Sequence, residues 1–289
     1  MSRIAYVNGQ YLPQSEASVN IEDRGYQFAD GVYEVLYMTG GRFLDEDLHM
    51  KRLERSLNEL RIDLPMGARA MRHVLLEVTR RNRLRDGLVY MQVTRGVAHR
   101  DHAFPKQPIP PSLVITCRRT GPYPVDVTKW TGAAITAPDQ RWARRDIKST
   151  ALLPNVLAKQ AAREAGAIEA ILIDQNGFVT EGSSTTVWIV DAQGILRTRQ
   201  LSHDILPGCT RGSLIAQMGA VGIASEERAF TKSELLGARE VFLTSATSFV
   251  KPITSVDGKA VGDGLVGPVA RRLFDLFTAH VKGGVNVPV

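Results

Sequence analysis

The stretch RRDIKSTALLPNVLAKQAA (144–162), followed by VTEGSSTT (179–186), decides how this chain reads. Lys148 lies in a loop among Ile147, Ser149, Ala151, Leu152 and Leu153, just before a helix expected over 153–165. Most lysines are solvated surface cations. One partly buried among small and apolar neighbours is different, because burial disfavours the ammonium and leaves an amine able to form a Schiff base. Glu181, ahead of Gly182, Ser183 and Ser184, reads either as a turn cap or as a carboxylate for a protonated ring nitrogen.

Two further loops extend the set. ILPGCTRG (205–212) places Gly208, Cys209 and Thr210 just before a helix, where free N–H groups and the helix dipole favour an anion. LTSATS (243–248) offers Ser245 and Thr247 as a second rim, and Arg52 in HMKRL is a candidate cation. Alone, Thr210 is an ordinary N-cap and Arg52 a solvated helix charge. In RGVAHRDHAFP (95–105), Arg100 and His102 flank one residue, and a guanidinium fork beside an imidazole suits a carboxylate. An amine for an aldehyde, an acid for a ring nitrogen and small-residue loops for a phosphate are what pyridoxal phosphate chemistry requires.

The bulk composition permits this reading. The 289 residues are enough for two domains, and 44% hydrophobic content supports buried cores. The formal charge of +6 is spread along the chain rather than gathered in an arm, which argues against nucleic-acid binding. Cys117 and Cys209 stand far apart, so neither a disulfide framework nor a zinc site is expected, and no other metal centre is suggested. The amino terminus lacks an apolar signal core and no apolar run approaches membrane-spanning length, so a soluble, cytoplasmic setting is expected.

Along the chain, IAYVNGQYL (4–12) reads as a hairpin turning at Asn8 and Gly9, and VYEVLYM (32–38) with Gly40 and Gly41 as a second. Leu48, Leu53, Leu57 and Leu60 recur at helical spacing, as do Met71, Val74, Leu75 and Val78. LVYMQVT (88–94), SLVITC (112–117), GAAITA, EAILID, TVWIV and EVFLT read as strands, with a helix after ILPGCTR and a last one over 266–281. The turn-rich 120–132 segment is the expected linker between an amino-terminal domain (1–119) and a carboxy-terminal one (133–289). No repeat of about 20–50 residues is visible. Gly262, Gly264 and Gly267 match a dinucleotide fingerprint in spacing, but only one helix remains after them, so they read as a turn and a helix start.

EDRGYQFADGVYEV (22–35), HMKRL, YMQVTRGVAHRDHAFP (90–105), RWARRDIKS, LLPNVLAKQ, EAILID, VTEGSS, ILPGCTR and LTSATS together resemble the fold-type IV (class IV) pyridoxal phosphate aminotransferases. The order holds over nearly the whole chain, and the Arg-x-His loop resembles the family's D-amino acid branch. The resemblance implies an α+β fold with a small amino-terminal domain, a larger barrel-like carboxy-terminal domain and the cofactor in the cleft between them. It implies that Lys148 carries pyridoxal 5'-phosphate and shuttles the substrate proton, and that Glu181 pairs with the pyridine nitrogen. Arg52, Gly208, Cys209, Thr210, Ser245 and Ala246 would hold the phosphate, and Leu206 would lie beneath the ring. Tyr33, Arg100 and His102 would bind the substrate α-carboxylate, the Arg100 loop reaching in from the second subunit of a homodimer.

The implied activity is ping-pong transamination between D-amino acids such as D-alanine and 2-oxo acids such as 2-oxoglutarate. A branched-chain L-amino acid or (R)-amine transaminase is the alternative, then an aminodeoxychorismate lyase; a basic binding protein without catalysis is the rival from another class. Three positions depart from the family pattern: Ala246 where a hydroxyl often serves, Tyr37 for a longer polar residue, and Phe249 as an added aromatic, the last two favouring apolar or aromatic substrate side chains.

Overall fold

The computed structural model describes residues 3–121 and 123–283; Pro122 in the expected linker and residues 284–289 of the expected second domain lie outside the described residues. The chain divides into two compact units, Met1–Tyr123 with Ile147–Ala151, and Pro124–Asp146 with Leu152–Val289. The segment bearing Lys148 therefore belongs to the first unit.

In the first unit, β1 (Ile4–Val7) and β2 (Gln10–Pro13) form the expected hairpin. Asn8 and Gly9, at φ 45° and 94°, adopt the left-handed conformations its two-residue turn demands. After α1 (Arg24–Phe28), β3 (Gly31–Thr39) turns through Gly40 and Gly41 into β4 (Arg42–Phe43). Then come α2 (Glu46–Leu60), α3 (Ala68–Arg81), β5 (Gly87–Thr94) and β6 (Ser112–Arg119). The sheet runs β2-β1-β6-β5-β3-β4 and is antiparallel at every pairing. Leu53, Leu57, Met71, Val74, Leu75 and Val78, the residues that carry the helical period, are buried with Val32, Leu36, Val89 and Met91 of the sheet. Each such side chain contributes roughly 1.5–3 kcal/mol by leaving water. Ile147 joins this core, and Ser149 bridges to Val32 on the edge of β3.

In the second unit, a single 3₁₀ turn at Val127–Lys129 leads into β7 (Gly132–Pro138). α4 (Leu153–Glu164) then crosses to β8 (Glu169–Ile173), which lies parallel to β7. β9 (Val179–Gly182), β10 (Thr186–Val190) and β11 (Leu196–Thr198) precede α5 (Cys209–Ala220). β12 (Glu226–Glu227) and α6 (Lys232–Leu236) lead to β13 (Glu240–Ser245), β14 (Phe249–Val256), β15 (Lys259–Ala260) and α7 (Pro268–Val281). The sheet order β12-β11-β10-β13-β14-β7-β8-β9, with β15 beside β14, curls into a half-barrel. Val187, Ile189, Phe230, Val241, Leu243 and Ile253 form its core. Trp188 stacks on Phe242 at 5.7 Å and donates its indole N–H to Thr244.

The three glycines behave as a turn and a helix start. Gly262 and Gly264 have φ of 56° and 79°, and Gly267 is the N-cap of α7. A Cβ at Gly267 would meet the Glu240 carboxyl carbon at 2.1 Å, and that carboxylate accepts the N–H groups of Val269 and Ala270. Glu240 thus occupies the helix end where an anionic ligand would sit. No helix among the described residues is long and apolar enough to cross a membrane.

Candidate active site

The residues singled out in the sequence fall into two groups, one in each unit. In the first unit the backbone of Lys148 is fixed from two sides. Its carbonyl accepts the N–H of Tyr33 at 3.0 Å, and its N–H donates to the Ser56 hydroxyl of α2 at 3.3 Å. Nζ stands 4.1 Å from the centroid of the Tyr33 ring. Among the described residues no carboxylate lies within ion-pair distance of it. Tyr33 stacks on Tyr90 at 5.7 Å, and burial pushes the Tyr90 hydroxyl up to about 12. Tyr33 and Lys148, far apart in sequence, are thus brought together.

Arg52 is engaged by an acid. Because side chains alternate along β3, Glu34 points to the same side as Val32 and Leu36, into the α2 core. Arg52 answers with Nε and Nη2, 2.7 and 2.8 Å from the two Glu34 oxygens, and His49 Nδ1 lies 2.7 Å from Oε2. Complete burial alone would raise the Glu34 carboxyl. The charge and hydrogen bonds of Arg52, with the His49 bond, bring it down to about 2 instead.

Arg100 and His102 lie on an exposed loop that rests against α1. Phe28 touches both: the His102 ring is 5.4 Å from its centroid and the Arg100 guanidinium 5.0 Å.

In the second unit, Glu181 sits within a strand, β9, rather than on a turn, and is buried. Arg141 donates to one of its oxygens through Nη1, and the Leu206 N–H reaches both, at 3.2 and 3.3 Å. The rest of the Arg141 fork goes to Asp139, with Nε at 2.9 Å from Oδ1 and Nη2 at 2.7 Å from Oδ2. Thr180 adds a hydroxyl bond to Asp139 at 2.6 Å. Burial pushes the Glu181 carboxyl above its ordinary value; Arg141 and the Leu206 N–H pull the other way, and the Asp139 charge adds to the rise. Arg141 is itself held firmly protonated: burial opposes its charge, but Glu181 and Asp139 outweigh that.

α5 begins at Cys209 with Gly208 as N-cap, and neither a side-chain cap nor an acidic residue serves its first turn. Its leading N–H groups keep the affinity for an anion expected of them. A Cβ at Gly208 would stand 2.9 Å from the Thr186 hydroxyl, so glycine lets the chain pass close to β10. Ser245 uses its hydroxyl oxygen to accept the N–H groups of Thr247 and Ser248, at 3.3 and 3.0 Å, which shapes the turn from β13 to β14. Half-buried Ala246 lies within that turn. The hydroxyls after Glu181 have a different use: Ser183, Ser184 and Thr185 all donate to buried Glu169.

Phe249 is a core residue, packed between Trp130 and Phe277 with centroids at 6.5 and 6.4 Å, and Tyr37 is also buried. The sequence reading missed Arg141, Asp139, Glu34, His49, Arg24 and Asp30. One signal was present: Glu34 interrupts an apolar strand on its inward register, where a charge needs a partner. Nothing local marks Arg141 among the arginines of RWARRD.

Comparison with known proteins covers almost the whole chain. Residues 31–256 match the family described as amino-transferase class IV. A D-alanine aminotransferase of Bacillus licheniformis is 43% identical over 267 residues, 92% of this chain and 93% of that protein. One from Staphylococcus haemolyticus is 36% identical over 277 residues, 96% of this chain and 97% of its own. Among solved structures, the branched-chain aminotransferase of the archaeon Thermoproteus uzoniensis with norvaline superposes with a TM-score of 0.85 at 25% identity, over 99% of this chain and 97% of that one.

Proposed function

This chain belongs to the class IV amino-transferases, and from that premise we propose that it transfers amino groups between D-amino acids and 2-oxo acids, with pyridoxal 5'-phosphate as cofactor. D-alanine and 2-oxoglutarate are the expected pair. The observation that carries this reading is the Lys148 amine, held against Tyr33 and left without a carboxylate partner among the described residues.

The donor set fits the cofactor in chemical kind. An aldehyde needs an amine such as Lys148, a ring nitrogen needs a buried acid such as Glu181, and a phosphate needs free N–H groups such as those opening α5. When bound, pyridoxal phosphate supplies a conjugated sink for the electron pair left on the substrate Cα. With that group bound, Lys148 would serve as the base and acid that moves the substrate Cα proton. Glu181, oriented by Arg141 and the Leu206 N–H, would hold the ring nitrogen with its carboxylate. Gly208, Cys209, Thr210, Ser245, Ala246 and Arg52 are assigned to the phosphate, and Leu206 to the ring face. Tyr33, Arg100 and His102 are assigned to the α-carboxylate; pinning that group leaves one hand of the substrate in reach of the base.

The same reading takes the domains as 1–119 and 133–289 joined by 120–132, with residues 147–151 packing in the first unit. It also includes a homodimer in which the Arg100 loop serves the neighbouring subunit, and the exposure of Arg100, His102 and Phe104 on the single chain supports this. A cytoplasmic location is in keeping with Cys117 and Cys209 as free, buried thiols.

Mixing the holoenzyme separately with D-alanine, L-leucine and (R)-1-phenylethylamine, and following the cofactor spectrum, tests the reading. D-alanine is expected to react fastest. Faster conversion by L-leucine would move the assignment to the branched-chain reading, which the solved relative favours.

A further inference from the structure

Resting on the carboxylate role of Arg100 and His102 above, we propose that Arg24, with Asp30 and Phe28, positions their loop and so sets the selectivity for substrates bearing an α-carboxylate.

Arg24 is a buried guanidinium beside an exposed loop. Nη1 donates to the carbonyl of Asp101 at 2.6 Å and Nη2 to that of His102 at 3.3 Å. The peptide groups on both sides of His102 are thereby held by one side chain. Its third arm, Nε, goes to Asp30 at 2.8 Å. Asp30 also takes Arg95, with Nε at 2.7 Å and Nη2 at 2.9 Å, and Arg95 in turn donates to the carbonyls of Leu60 and Arg61 where α2 ends. Beneath the loop, the Phe28 ring meets His102, Arg100 and Arg24, the last at 4.8 Å. Farther along, Phe104 packs on Arg95 at 3.7 Å and on Arg61 at 5.0 Å.

The base of this clamp is itself fixed. Asp23 accepts the N–H of Gly25 at 2.8 Å and the hydroxyl of Thr94 on β5 at 3.0 Å, and the Arg24 N–H donates to Gly96 at 2.9 Å. A Cβ at Gly25 would meet the Thr94 methyl at 2.1 Å, so α1 is seated directly on the sheet. A free loop would lose conformational entropy each time its arginine and histidine closed on a carboxylate. This loop has its backbone set in advance. The hydrogen bonds go to main-chain carbonyls, so Arg100 and His102 keep their own donors for a ligand. A lysine at position 24 keeps the charge but cannot serve three acceptors in a fixed plane.

The test uses the holoenzyme with Arg24→Lys and Phe28→Leu, each checked for melting temperature, and Arg100→Ala as the reference. For Arg24→Lys the KM for D-alanine should rise about tenfold with kcat within about twofold, while the half-reaction with (R)-1-phenylethylamine is unchanged. Hydrogen exchange should accelerate at the amides of residues 100–104 and not elsewhere. Phe28→Leu should move the same quantities less, and carries the test should Arg24→Lys fail to fold. An unchanged KM despite faster exchange, or equal losses with both amino donors, overturns the proposal. If Arg100→Ala leaves the KM for D-alanine unaltered, the carboxylate reading has failed and this proposal goes with it. A normal effect of Arg100→Ala beside a silent Arg24→Lys refutes the clamp alone.

Discussion

Glu34 and Glu181 are both buried, both on strands and both paired with an arginine, yet their carboxyls shift in opposite directions. Two donors of Arg52 go to Glu34 and His49 adds a third contact, so the charge is compensated where it sits. Arg141 divides its donors, two to Asp139 and one to Glu181, and Asp139 adds a second negative charge nearby. Burial sets the same demand on both acids, and the division of guanidinium donors decides the outcome. The acid in the first unit is a closed ion pair. The one in the second is under-compensated, which is the property proposed for the partner of a pyridinium.

The contrast is open to attack, most forcefully through activity. Glu181→Gln should lower kcat by roughly 10²–10³-fold, with a melting temperature near that of the wild type, in steady-state assays and thermal scans. Large destabilisation with little catalytic loss would make Glu181 a structural acid like Glu34. Conversely, Glu34→Ala should cost about 3–5 kcal/mol in denaturant melts, because it removes one partner of a buried ion pair with Arg52 and His49. A stable Glu34→Ala protein would remove one side of the comparison.

Acid titration sharpens it. The folded-state value for Glu34, about 2, lies below the ordinary 4.5, so on acidification the unfolded chain takes up its proton first. Its contribution, about 3 kcal/mol at most, is fully present above about pH 4.5 and lost as pH falls toward about 2. Glu34→Gln should flatten that limb of the stability curve. Glu181 has the reverse sign: its raised value means that its burial weakens folding as pH climbs past it. The smallest expected effect is from Asp139→Asn, which frees Arg141 for Glu181 and should change kcat by roughly threefold while moving the acidic limb of its pH profile downward.

Much of the fold was legible because its signals are local. The Asn8 and Gly9 turn, the helical spacing of Leu53 and Leu57, and the run Met71, Val74, Leu75, Val78 each sit inside one element, and each is found where expected. β9 was missed because VTEG is short and ends in turn residues, although all four positions are buried. Phe249, expected to favour apolar or aromatic substrate side chains, packs in a core, since nothing in FVKPI tells which wall of a curled sheet it faces. Lys148 and Glu181 stood out by motif, but their supports did not. Ser56, Arg141 and Asp139 carry no pattern that distinguishes them from neighbouring serines and charges.

By itself the amino-acid order settled the kinds of element, their succession and the family, because turn chemistry, periodicity and ordered motifs are written into adjacent residues. Only the folded chain decided that 147–151 joins the first unit, that Arg24 holds the carbonyls beside His102, and that one buried glutamate is fully compensated while another is not. Those outcomes depend on how a few donors are shared between groups distant in sequence, and that sharing is fixed by packing.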